Sequence, residues 1–284
     1  MKRKLYTLVA AIVLGTLFSC EPVEDRNSLP EITLTPETLN FSVVQNPQKN
    51  NEVKLSSLDS KVIPYWSYSN ATGEIGHFNT KDQTFLLPFA GNYMVNFTAY
   101  TPGGAVYGKP VNIKVDKNDA SYFSDPKWNM LTNGPAGKTW VLDMAHPVGW
   151  AGVDYPAASG DNWNWFPDYA DNSWVMDNKD WGKMTLDLNG AYNDAVTQTA
   201  LTGTTQTTKK GTFIFDIPNN KLTLNGGVEI LYGGDYYEDV SNWSTVRVIK
   251  LTATELELGV IRDQSRKGEG VCQIVFRYKP QPIK

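Results

Sequence analysis

Cysteine and histidine are scarce in this chain. Two of its 284 residues are Cys, at Cys20 and Cys272, and two are His, at His77 and His146. Cys20 closes an apolar leader, so Cys272 has no internal partner, and neither a disulfide nor a cysteine-based metal site can form. Within VCQIVF, Cys272 reads as a buried strand residue. The histidines fall in different expected domains, which argues against a zinc site or a Ser–His pair. GxSxG and Walker A motifs are missing, as is GxGxxG at a strand-to-helix junction. Beyond Lys2-Arg3-Lys4 there is no basic run, and the formal charge is −4. A nucleic-acid partner, which needs clustered Lys and Arg, is therefore not expected. The longest apolar run, Leu5 to Phe18, is shorter than the roughly 20 residues a membrane-spanning helix requires. Over residues 30–116 no stretch shows a sustained helical period.

Tryptophan is what the chain has in abundance. Six of its nine Trp residues lie between Trp140 and Trp181. They are interleaved with Gly, Pro, Asn and Asp, as in HPVGWAGVDYPAASGDNWNWFPDYADNSW. Turn formers at that density break strands and helices, while aromatics at that density are foreign to disordered segments. The stretch is expected to be an ordered loop displaying flat rings with polar groups between them. Sugars match such a surface, because their C–H faces stack on rings and their hydroxyls need polar partners. Trp150, Trp163, Trp165 and Trp174 are the candidate ligand-binding rings, with Asp161 and Asn162 as hydroxyl partners. Trp163 and Trp165 are two apart, so in extended backbone both rings face one way. The alternative is a loop folded back into a small satellite core. Trp140 alternates with Leu142 and reads as core, and Trp181 as core or rim. The segment YGGDYYEDVSN at 232 to 242 has the same character. It adds Tyr236, Tyr237 and the following Trp243 to the candidates, and either meets the Trp loop at one end of the domain or is an ordinary hairpin loop.

Acids are plentiful nearby: Asp154, Asp161, Asp168, Asp171, Asp177, Asp180, Asp235, Glu238 and Asp239. A glycosidase needs two carboxyls roughly 5 to 9.5 Å apart, one with a raised pKa, and spacing alone does not reveal such a pair. No catalytic residue and no cofactor is assigned. A Ca²⁺ site from Asp235, Glu238 and Asp239 is the weak metal alternative, because its spacing fits no EF-hand loop.

The chain opens as a secretory signal over residues 1–19. Leu17-Phe18-Ser19-Cys20 resembles the lipobox of bacterial lipoproteins. That resemblance implies lipidation at Cys20, with acyl chains contributing about 0.8 kcal/mol per buried CH₂. Glu21-Pro22-Val23-Glu24-Asp25 is similar to the surface-export signal of Bacteroidota lipoproteins, and residues 20–29 read as a lipid-anchored tether.

Residues 30–116 alternate as short strands separated by turns, the pattern of a β-sandwich. Trp66-Ser67-Tyr68, the GNYMVNF stretch from Gly91 and Gly103-Gly104 resemble the PKD module, an Ig-like spacer, although its FGDG is replaced here. Trp66, Tyr93, Val95 and Phe97 are expected inside. Residues 117–136 read as a linker. Residues 137–284 read as a β-domain whose sequential antiparallel strands form a meander. Gly137-Lys138-Thr139-Trp140, the segment Lys250 to Leu258 and Val275-Phe276-Arg277-Tyr278 resemble the lipocalin-like domains of Bacteroidota lipoproteins. A barrel is therefore expected, with a jelly-roll sandwich as the alternative.

The layout as a whole is similar to surface glycan-binding lipoproteins of polysaccharide-utilisation systems. It implies an all-β, monomeric, non-enzymatic protein on the outer-membrane surface. Such a protein would bind polysaccharide, for instance a β-glucan, and deliver it to a transporter of the starch-utilisation (SusC/SusD-like) type. The rivals are a glycoside hydrolase or lyase, and a carrier of small apolar ligands.

Overall fold

The structure is a computed structural model and describes residues 29–282, Thr72 excepted. The signal, Cys20 and most of the expected tether lie outside those residues. The fold is all-β. Contacts group the chain into two compact units. Among the described residues, one holds those up to Val44, Lys54–Thr84 and Tyr93–Ile113; the other holds Gln45–Val53, Phe85–Asn92 and those from Lys114 onward.

The N-terminal strands form two sheets. β1 (Phe41–Gln45), β2 (Glu52–Ser57) and β5 (Asp82–Leu86) lie in the order β1-β2-β5. The second sheet contains β3 (Ile63–Asn70), β4 (Gly73–Phe78), β6 (Gly91–Thr101), β7 (Gly104–Tyr107) and β8 (Val111–Val115). It runs β4-β3-β6-β7, with β8 also on β6. Alternation along β6 turns Tyr93, Val95 and Phe97 inward, where all three are buried. Trp66 is fully buried, with its ring 4.3 Å from Phe97 and 5.9 Å from Phe41 of the facing sheet. This is the two-layer sandwich that short alternating strands require.

The C-terminal strands close on themselves. β9 (Lys138–Leu142), β12 (Gly182–Asp187), β13 (Asn193–Thr199), β14 (Gln206–Asp216), β15 (Lys221–Leu224), β16 (Thr245–Leu251), β17 (Leu256–Arg262) and β18 (Cys272–Pro280) pair antiparallel in that order. β18 then pairs β9, with Tyr278 opposite Leu142. The result is an eight-stranded meander barrel, and the jelly-roll alternative does not hold. Every second residue points inward: Met184 and Leu186, Phe213 and Phe215, Leu256 and Leu258, Ile274, Phe276 and Tyr278 are all buried in one core. An eight-stranded barrel is just wide enough for side chains to fill.

Two short strands extend the wall. β10 (Val148–Ala151) continues along β18, with Val148 opposite Phe276, and β11 (Asn164–Trp165) pairs β10. Both lie inside the stretch read as a loop. Two residues of β11 are too few for alternation to be legible in sequence.

Residues 117–136 do more than link. Asp125 caps a short helix, α1 (Pro126–Thr132), by accepting from the Lys127 N–H at 2.8 Å, and Pro126 starts its first turn. Trp128 and Leu131 of α1 are buried in the barrel core, and the Trp140 indole N–H donates to the Leu131 carbonyl at 2.9 Å. At seven residues, α1 is too short to show a helical period, and tertiary packing decides it.

Buried Asn51 ties three backbone segments of the second unit together. Its Nδ2 donates to the carbonyls of Leu87 at 2.9 Å and Lys117 at 3.0 Å. Asn51→Ala leaves both carbonyls without that donor and is expected to lower the unfolding free energy by about 1–3 kcal/mol. Urea unfolding of the variant beside the parent measures this, and an unchanged midpoint would contradict it.

Candidate functional site

The Trp-rich stretch builds a ladder of indoles at one end of the barrel. Trp150 shares the inward face of β10 with buried Val148 and packs partly against the core. Directly across the β10–β11 pair stands Trp165, and the two rings stack at 5.2 Å and 24°. Trp174 sits in a single 3₁₀ turn, Ser173–Val175, whose Val175 is buried, as is Met176 behind it. Anchoring those neighbours turns Trp174 outward, and its ring stacks on Trp165 at 6.0 Å and 21°. Three near-parallel indoles therefore climb out of the core. Trp150 is half-buried, Trp165 is 42% exposed and Trp174 is 70% exposed.

These separations are ring-on-ring contacts and leave no room for a sugar between the rings. What the ladder offers to solvent is the outer face of Trp174 and the ring edges below it. Trp163 is 48% exposed and stands outside the ladder. The expectation that Trp163 and Trp165 form one paired platform is thus modified, because Trp165 is the middle rung between Trp150 and Trp174.

The polar candidates Asp161 and Asn162 act on the loop itself. The Val153 N–H donates to an Asp161 carboxylate oxygen at 3.0 Å, and the Asp161 N–H donates to Asp154 at 2.8 Å. Asn162 donates through Nδ2 to the Ala157 carbonyl at 3.1 Å. Gly152 lets this hairpin close, since a Cβ there would collide with the Asp161 carbonyl. These bonds fix the turn that returns the chain to β11, so Asp161 and Asn162 position the rings.

The loop is also fastened to the barrel's outer wall. Phe166, next to Trp165 and therefore on the opposite face of β11, lies against Gly149 and under the Arg277 guanidinium, 5.2 Å from its ring centre. Arg277 is held by buried Glu257 at 2.9 Å. Gln273, fully buried on β18, donates to the carbonyls of Gly152 at 2.7 Å and Tyr155 at 2.9 Å. The His146 imidazole sits 2.9 Å from Asp168, and the Tyr169 hydroxyl donates to the Met176 carbonyl at 2.9 Å. Phe166, Tyr169 and Gln273 are the supports that sequence reasoning missed. The signal available was the position of Phe166, one residue out of phase with Trp165.

The second aromatic loop does meet the first. Tyr236 meets Trp150 edge-to-face at 5.6 Å, and its hydroxyl donates to the Val175 carbonyl at 2.6 Å. Burial, with the nearby Asp239 and Asp235 charges, pushes the Tyr236 phenol up to about 12, so it stays a neutral donor. Tyr237 is partly exposed, stacks on Trp243 at 5.7 Å and 8°, and donates to Glu229 at 3.0 Å. Trp243 is a correction: only 3% of it is exposed, its N–H donates to the Tyr237 carbonyl at 3.2 Å, and it backs Tyr237 from inside. It follows a loop but stands two residues before the start of β16, and the barrel end draws it in. Glu238 pairs with Arg266 at 3.3 Å. Among the described residues, no group of three or more His, Cys, Asp or Glu is gathered to hold a metal ion.

No protein-family model matches the chain, and no curated protein matches it.

Proposed function

We propose that the protein is a non-enzymatic polysaccharide-binding lipoprotein that captures glycan at the indole ladder, held to the outer-membrane surface by lipidated Cys20 and supplying a SusC/SusD-like transporter. The observation that carries this reading is the ladder itself: Trp165 and Trp174 stay open to water although a large core lies beside them. Flat apolar rings left exposed and held rigid on a barrel rim suit the C–H faces of sugars. A neutral, equatorially substituted chain such as a β-glucan matches those faces best. Capture needs ring stacking and hydroxyl partners and no reacting group. Among the described residues, the carboxyl held well above its usual range is Asp194, and it is enclosed in the barrel rather than beside the rings. Asp154, Asp161 and Asp168 are engaged in holding the loop. The barrel core around Trp140, Phe213, Phe276 and Tyr278 is filled by side chains, which disfavours a carrier that would enclose its ligand there. Many copies anchored on one membrane would raise the avidity for a polymer.

Affinity electrophoresis and calorimetry against a polysaccharide panel, with reducing-sugar release followed in parallel, test the reading. Retardation by at least one neutral glycan without turnover is expected. Turnover would favour the hydrolase alternative, and indifference to every glycan would end the proposal.

A further inference from the structure

A groove of mixed, mainly apolar lining lies on the same barrel, built by residues that the ladder does not use. Val196 and Gln198 of β13 and Thr207 and Lys209 of β14 form it with Glu229 and Tyr232 of the segment leading into the aromatic loop. Its volume is about 310 Å³, at the lower end of the range for small-molecule sites. Lys209 stands directly opposite Val196 in the β13–β14 register, so both project on one face.

The walls are fixed in advance. The Gln198 amide clips both backbone groups of Tyr232, donating to its carbonyl at 2.9 Å and accepting from its N–H at 3.1 Å. Lys179 Nζ lies over the Trp181 ring and donates to the carbonyls of Ala200 at 2.7 Å, Leu201 at 2.6 Å and Gly203 at 3.2 Å, which holds the adjoining β13–β14 turn. A site whose walls need no ordering on binding loses little affinity to that cost.

The groups facing the groove define a chemistry. The partly exposed Tyr232 ring supplies apolar surface, with the buried Val196 and Ile230 packed behind it. Lys209 and Glu229 stand 3.7 Å apart, with Glu229 also accepting from Tyr237. An ammonium beside a carboxylate presents donors and acceptors side by side, which is what two adjacent hydroxyls need, since each hydroxyl both donates and accepts. The pair carries no net charge, so neither an anionic nor a cationic ligand gains from it. One segment borders both places: Tyr232 lines the groove, and Tyr236, on the same segment, meets Trp150 of the ladder at 5.6 Å.

We infer that the groove is a second subsite, taking one neutral pyranose unit of the same chain that the ladder holds. This rests on the glycan-capture reading. Because the groove and the ladder are built by different residues along the rim segment from Tyr232 to Tyr236, a chain of several units is needed to occupy both. Affinity then depends on chain length, and that dependence resides in Lys209 and Glu229.

The test is calorimetry on the full chain with cellulose- and laminarin-derived oligosaccharides of increasing length. The parent protein is expected to bind the longest members of one series about tenfold more tightly than the short ones. The double variant Lys209→Met/Glu229→Gln should lose that increment and keep the parent's affinity for short members; thermal melting checks that it is folded. Trp165→Ala should weaken binding at every length. If the double variant keeps the parent's length profile while Trp165→Ala abolishes binding, the groove is not a subsite and the ladder stands. Binding without length dependence in the parent also overturns the subsite. If no member binds the parent, both readings fall.

Discussion

Asp194→Asn is expected to raise the unfolding free energy by about 2–3 kcal/mol at pH 8 and to change it little below pH 4. Asp194 lies on β13 between Leu186 and Gly211 and is 3% exposed. Neither carboxyl oxygen makes a hydrogen bond of good geometry, and the backbone of Asp194 and Gly211 comes only close enough to pull its pKa down weakly. Burial pushes the group up from 3.8 to about 6, and the weaker pull of the Asp194 and Gly211 backbone does not reverse this. The folded state thus holds its proton to higher pH than the unfolded state does. Stability is greatest while both are protonated, falls as pH rises from 3.8 to about 6, and stays flat above that. A shift of about two units corresponds to about 3 kcal/mol at 1.36 kcal/mol per unit. Asn has nearly the same shape and cannot ionise, so it removes the cost of burying the charge. Urea unfolding of both proteins from pH 3.5 to 8 measures the difference. An equal gap at both ends of that range would mean that Asp194 is not a charge buried against its preference.

Trp165→Ala is expected to weaken glycan binding by about 2–3 kcal/mol, roughly 30- to 150-fold. The middle rung is the sensitive one. Removing it deletes a partly exposed ring and also the surface on which Trp174 lies. Trp174, without its stack, gains rotamer freedom that must be lost again on binding. Trp174→Ala removes one exposed ring and leaves the Trp150–Trp165 pair in place, so a smaller loss of about tenfold is expected. Trp163→Ala, outside the ladder, should cost less still. Calorimetry with the best glycan of the panel ranks the three variants. If Trp163→Ala is the most damaging, the ladder is not the binding surface.

Much of this architecture was legible. Alternation along GNYMVNF and along the strands from Met184 to Tyr278 predicted the sandwich and the meander, and it placed Trp66 and Trp140 inside. The Trp loop was legible as ordered, whereas the sequence left open whether the Tyr236–Tyr237 loop meets it or is an ordinary hairpin, and the Tyr236–Trp150 contact decides between them. The roles within the site were less legible. Asp161 and Asn162 look like hydroxyl partners by type, yet their hydrogen bonds close a hairpin. Trp243 looks like a loop ring, yet it is a core ring. A side chain's type gives its bonding capacity, whereas its partner depends on where the chain returns.

The sequence by itself determined the fold class, since period-two alternation is a local property that each strand carries alone. It also marked the Trp-rich stretch as ordered, because aromatics at that density are foreign to disorder, but the Gly, Pro, Asn and Asp around the rings hid the short strands that carry Trp150 and Trp165. Only the tertiary structure decided which rings face water. That choice depends on cross-strand register, which sets Trp165 opposite Trp150, and on buried anchors such as Val175, which turn Trp174 outward. Register and anchoring arise from contacts between residues distant in the chain, and such contacts exist only once the barrel has closed.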